Sequence, residues 1–159
     1  MGVAGSGKTT VGGLLAAALG VELIDADAFH SEASRDKMSR GVPLDDEDRA
    51  PWLAALAAAI DGWLVEGRSV VLACSALKRA YRAVLLRDAE QVRLVYLRGS
   101  PELLRRRLDQ RAGHFATSAL LESQLATLEE PDDALTVDVA APPEEIVATI
   151  RRGLDLSTR

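Results

Sequence analysis

Gly2-Val3-Ala4-Gly5-Ser6-Gly7-Lys8-Thr9 is a complete G-x-x-x-x-G-K-[ST] phosphate-binding loop, and it opens the chain. Its glycines let backbone N–H groups turn inward around phosphate oxygens. Lys8 reaches the β/γ oxygens, and the Thr9 hydroxyl is placed to ligate Mg²⁺. The run from Thr10 to Leu19 is rich in Ala and Leu and reads as the helix behind the loop. The N-terminus of that helix directs positive partial charge at the phosphates. Gly2, Ala4, Gly5, Ser6, Gly7, Lys8, Thr9 and Thr10 are therefore the candidate nucleotide contacts.

A loop of this kind normally follows a buried β-strand, yet only Met1 precedes Gly2. Leaving out about five apolar residues at roughly 2 kcal/mol each removes on the order of 10 kcal/mol of burial. That is comparable to the whole stability of a typical domain, about 5–15 kcal/mol. The expectation is that Met1 is internal to a longer natural chain and that the first strand lies upstream.

The 159 residues suit one domain with a single core. Hydrophobic content of 48% with 27% charged residues is ordinary globular composition. A net charge of −5 argues against nucleic acid as the main partner, because phosphate backbones demand a basic face. The lone cysteine, Cys74, has no internal disulfide partner and suits a reducing cytoplasm. The longest apolar runs are too short to span a bilayer. A cytoplasmic domain with no membrane partner is expected.

Apolar runs alternate with helical patterns along the chain. Val21–Asp25, Ser69–Cys74, Val92–Leu97 and Leu135–Val139 read as strands. Trp52, Leu53, Leu56, Ala57, Ile60, Trp63 and Leu64 fall at helical spacing, with Pro51 acceptable in a first turn. Further helices are predicted from Pro101, around Leu120–Leu128 and from Pro143, the last with Gly153 as its cap. This alternation means an α/β fold with a parallel sheet between helices, and ligands bind beyond the carboxyl ends of its strands.

Asp25-Ala26-Asp27 belongs at that edge, sixteen residues beyond Thr9. In phosphoryl transfer one carboxylate, Asp25, can hold Mg²⁺, and another, Asp27, can orient or deprotonate an acceptor hydroxyl. Arg107 and Arg111, at i and i+4, share a helix face and precede Ala112-Gly113-His114-Phe115, a segment suited to a lid over roughly 107–127. Such arginines can neutralise charge on the γ-phosphoryl group. Arg105 and Arg106 point elsewhere and read as exposed salt-bridge partners. The acidic run Leu44–Arg49 reads as solvated. Ser75–Arg82 follows a strand directly, so its cations are placed to receive an anionic acceptor. His30, His114 and Cys74 are too few for a metal cluster, which leaves the nucleotide's own Mg²⁺ as the one metal proposed.

Taken together, these segments resemble the gluconokinases, small P-loop kinases that phosphorylate D-gluconate on its 6-hydroxyl with ATP. The likeness is carried by Gly2–Thr9; Asp25-Ala26-Asp27-Ala28-Phe29-His30; Lys37-Met38 with Gly41-Val42-Pro43-Leu44; Asp46–Leu53; Ala73–Lys78 with Tyr81-Arg82; and Gly113-His114-Phe115 with Gln124, Thr127-Leu128-Glu129 and Pro131. The phosphate loop alone fits many enzymes; the D-x-D-x-[FY]-H, D-x-D-R-x-P-W-L and C-S-A-L-K-x-x-Y-R segments in succession are far more specific.

The resemblance implies a P-loop NTPase fold of the nucleoside-monophosphate-kinase type. That is a three-layer sandwich with a parallel sheet and a lid, in one kinase domain over residues 1–159, usually homodimeric. It also implies roles. Lys8, Asp27, Arg107 and Arg111 become the catalytic candidates, and Thr9 and Asp25 the Mg²⁺ ligands. His30, Arg49, Lys78, Arg82 and His114 join Asp27 as gluconate contacts, and Ala141-Pro142 borders the adenine.

Two positions depart from the family pattern: Ser31 and Ser34 stand where it has Pro and Asn. Ser34 is shorter and offers a hydroxyl in place of an amide, so the expectation is that one substrate hydrogen bond is lost or mediated by water. The alternatives are a kinase of another small acid such as shikimate, a nucleotide-binding module without turnover, and a fragment that binds nothing. The Asp-Arg-x-Pro-Trp-Leu and Cys-Ser-Ala-Leu-Lys segments argue against shikimate.

Overall fold

The computed structural model describes the backbone of residues 1–110 and 115–156, and the side chains of 1–110 and 119–156. The run behind the phosphate loop forms α1 (Lys8–Leu19), which ends on Gly20 in the left-handed conformation. Then follow β1 (Glu22–Asp25), a 3-10 turn (Ala26–Phe29), α2 (Glu32–Ser39) and α3 (Asp46–Val65). The remainder comprises β2 (Val70–Ala73), α4 (Arg79–Leu85), β3 (Val95–Arg98), α5 (Pro101–Asp109), α6 (Phe115–Thr127), β4 (Leu135–Asp138) and α7 (Pro143–Gly153).

The strands pair in parallel, as the alternating pattern requires. β1 pairs with β2 in the register Leu23 to Val71, and β3 with β4 in the register Tyr96 to Thr136. Met1 stands against β3: its amine donates to the Val95 carbonyl, and its carbonyl accepts from Leu97 N at 3.0 Å. That is one rung of a parallel ladder. Gly2 N continues toward the other pair, donating to Ser75 O at 3.3 Å just past β2.

Successive residues of β2 serve opposite faces, as strand geometry dictates. Val71 packs into a core with Val11, Leu15, Leu97, Leu104, Leu121, Val137 and Ile150. Leu72 packs into a second core built on Trp52, Leu56, Ile60, Tyr81 and Leu85. The first core joins α1, α5, α6 and α7 to the strands, and the second belongs to α3 and α4. Each large aliphatic side chain buried there contributes about 1.5–3 kcal/mol.

α3 starts earlier than Pro51 suggested. Asp45 and Asp48 form a reciprocal capping box, so the helix begins at Asp46 and Pro51 lies inside it. α7 includes Gly153 and is capped at Leu154. No helix among the described residues is long and apolar enough to cross a membrane.

Candidate active site

Gly7, with φ of 88°, turns the chain from the phosphate loop into α1, and no side chain caps that helix. Its first turn, Lys8 to Thr10, presents the N-terminal end of the helix, where backbone N–H groups and the helix dipole favour anions. The loop is wound too tightly for a side chain at Gly2, where an added Cβ would lie 2.7 Å from Ser6 Oγ and 2.9 Å from Leu97 O. Gly5 likewise has φ of 79°. Ser6 is fully buried, and its hydroxyl has no hydrogen-bond partner within the described protein. Lys8 Nζ bends back over the loop to the carbonyls of Gly2 (2.9 Å) and Val3 (3.1 Å). The Ala4 amide, expected among the phosphate contacts, instead donates to Gln124 Oε1 at 2.6 Å.

At the carboxyl end of β1, Asp25 Oδ1 accepts from Asp27 N at 2.9 Å and starts the 3-10 turn. This aims the Asp27 carboxylate outward, 78% exposed, with Oδ1 3.9 Å from His30 Nε2. His30 itself is 7% exposed. Burial holds its pKa below the ordinary 6.5; Asp27 opposes that shift, and Arg49 and Arg35 reinforce it. Its ring is stacked on Trp52, whose Nε1 donates to Ala26 O at 2.8 Å. Trp52 thus grips the Ala26–His30 segment at both of its ends.

The acidic run expected to be merely solvated is a hub. Asp46 accepts both Lys78 Nζ, at 2.7 and 2.8 Å, and the Tyr81 hydroxyl. These donors hold its carboxyl below the usual carboxylate range, Lys78 most strongly. Asp48 takes Lys37 Nζ at 2.6 Å, which ties α2 to α3. Arg49 and Lys78 both lie over the Tyr81 ring, 5.9 and 5.4 Å from its centroid. Two expected acceptor cations, Arg49 and Lys78, are therefore neighbours.

Arg82 is placed differently. It is buried, and Nη1 donates to the carbonyls of Ala76 (3.0 Å) and Leu77 (2.9 Å). Ala76 has φ of 46°, which costs a non-glycine residue about 1–2 kcal/mol. Arg82 thus braces a strained loop from beneath, where a substrate contact was expected. Ser34 is also buried, and its amide and hydroxyl meet Ser31 Oγ in the cap of α2.

Arg107 Nη2 donates to Val139 O at 2.6 Å, which brings α5 to the segment leading into Ala141-Pro142. Arg105 pairs with Glu122 on the surface, as expected of it. Arg111 and His114 lie outside the described residues. Burial pushes the Cys74 thiol, at the end of β2, up to about 11. Asp25, at the end of β1, is in register with Ala73 at the end of β2, and Gly2 N of the phosphate loop bonds Ser75 O just beyond that point. The phosphate loop and the Asp25–Asp27 turn therefore lie at the carboxyl end of the β1–β2 pair.

A probable gluconokinase of Mus musculus is 43% identical over 174 residues, covering 97% of this chain and 95% of the mouse protein. The chain belongs to the gluconokinase family. A gluconokinase structure from Sinorhizobium meliloti 1021 is 45% identical, with a TM-score of 0.87 over 98% of this chain and 89% of that one. The family model described as an AAA domain matches residues 1–131. A shikimate kinase from Bacteroides thetaiotaomicron shares the fold alone, at 20% identity and a TM-score of 0.68. In this gluconokinase-family chain the sequence pattern missed Trp52, Asp46 and Tyr81 as parts of the site. Their one signal was membership of the Asp46–Leu53 and Tyr81-Arg82 segments.

Proposed function

We propose that this chain transfers the γ-phosphoryl group of ATP to the 6-hydroxyl of D-gluconate. The observation that carries the reading is the convergence just described: an exposed carboxylate, Asp27, at the same carboxyl end of the β1–β2 pair as the phosphate loop, with Lys78 and Arg49 grouped on Tyr81. The α1 amides and Lys8 bind the phosphates. Arg49 and Lys78 supply positive charge for the sugar acid's carboxylate, which competes with Asp46 for Lys78. Asp27 orients the acceptor hydroxyl and takes its proton as the new O–P bond forms and the bond from γ-phosphorus to the β-phosphate oxygen breaks, releasing ADP. Because that transition state is loose, positioning matters at least as much as basicity.

Thr9 and Asp25 offer hard oxygen donors without a dedicated cage, which suits Mg²⁺ brought in with the nucleotide. These two residues would hold the ion, whose chemistry is to neutralise charge on the β- and γ-oxygens. Homodimer formation and a cytoplasmic location complete the reading, supported by the family likeness and the single cysteine.

Asp27→Asn tests the assignment. Product formation, followed by phosphorus NMR of 6-phosphogluconate, should fall by orders of magnitude while Mg-ATP affinity stays within about twofold. Equal loss of both would remove Asp27 from the acceptor side.

A further inference from the structure

α6 ends on a turn that touches both halves of the site. Gln124, on its last turn, takes the Ala4 amide of the phosphate loop. Five residues on, Glu129 makes two bonds to the acceptor loop, residues 75–78, and the start of α4 that follows it: its amide donates to Leu77 O at 3.0 Å, and its carboxylate accepts from Arg79 N. The latter bond matters because α4 has no side-chain cap of its own. Leu77 O also receives Arg82, so the loop is held from α4 and from the α6 side at one carbonyl. The acceptor loop straddles the two cores, with Ala76 packed in one and its neighbour Leu77 in the other, which also holds Val3 of the phosphate loop.

We propose that residues 124–129 form a strut in which Gln124 sets the phosphate loop and Glu129 sets the acceptor loop, so that disturbance of either anchor is felt at both subsites. Neither residue touches the reacting atoms, and both are positioning residues. The peptide planes of a phosphate loop must aim their N–H groups within narrow limits. A side-chain oxygen that fixes one of those planes fixes where its neighbours point. Leu125 and Leu128, partly buried against the α1/α7 core, seat the strut between the two anchors.

The strut rests on the kinase reading for its two subsites, but nucleotide affinity alone tests it. Mg-AMPPNP binding by calorimetry is compared among the wild-type chain, Gln124→Ala, Glu129→Ala, Glu129→Gln and the double alanine variant, alongside Tm. Gln124→Ala should weaken AMPPNP by about fivefold, the scale of one hydrogen bond. Glu129→Ala, remote from the phosphates, should weaken it by at least twofold. The double variant should fall short of the product of the two effects. Glu129→Gln keeps an oxygen for the Arg79 amide and should bind as wild type does. Unchanged affinity in Gln124→Ala, or wild-type affinity in Glu129→Ala, would overturn the strut. So would losses that merely follow Tm across all four variants. A wild type that binds AMPPNP without phosphorylating gluconate would count against the kinase reading, while the variant affinities would still decide for or against the strut.

Discussion

The His30 imidazole lies flat on the Trp52 indole, with ring centroids 4.7 Å apart and planes 8° from parallel. The same indole donates to Ala26 O, so one α3 side chain sets the height and tilt of the segment that carries Asp27. Trp52→Phe keeps an aromatic face but orphans the Ala26 carbonyl, which should cost about 1–3 kcal/mol. Trp52→Ala adds a cavity and should cost about 3–5 kcal/mol. Urea unfolding of the two variants measures both.

His30 makes stability depend on pH. Its folded pKa is lowered, chiefly by burial, so the unfolded chain binds the proton more readily. Between the folded pKa and 6.5 the unfolded state carries more protons, and stability rises with pH. The contribution is fully present above 6.5, is lost as pH falls toward the folded pKa, and changes no further below it. His30→Gln should flatten this part of the curve of unfolding free energy against pH; an unaltered slope would mean His30 does not titrate in that window.

Arg82 separates a brace from a ligand. Its buried bonds to Ala76 and Leu77 are charge-assisted, worth about 1.5–3 kcal/mol each in stability terms. Arg82→Met removes both bonds and should lower unfolding free energy by about 3–6 kcal/mol, impairing gluconate turnover as a consequence. A variant of full stability with only a raised gluconate KM would return Arg82 to the substrate contacts.

Lys78 should behave in the opposite way. It is held on the surface by Asp46, where ion pairs contribute little to stability. Lys78→Met should leave Tm nearly unchanged while raising the KM for gluconate by about tenfold or more, the value of one charge-assisted contact. Parallel thermal melts and steady-state kinetics check this.

Much of this is readable in the chain. The phosphate loop and the four apolar runs mark the nucleotide end and the parallel pairs, because a buried strand announces itself by continuous Val, Leu and Ile. α2 is hidden because Met38 is the one large apolar residue in it, which leaves no stripe to detect. The start of α3 is obscured because Pro51 draws attention from the Asp45–Asp48 capping box. Asp46 looks solvated because its partners, Lys78 and Tyr81, are 32 and 35 positions away. The Ala4–Gln124 bond spans 120 positions, and no local pattern encodes it.

The most direct measurement is ADP release from Mg-ATP by this 159-residue chain, with gluconate and with shikimate as acceptors. Release that depends on gluconate and is absent with shikimate is expected of a gluconate 6-phosphotransferase. Release with shikimate alone, or none with gluconate from folded protein that binds the nucleotide, would contradict it.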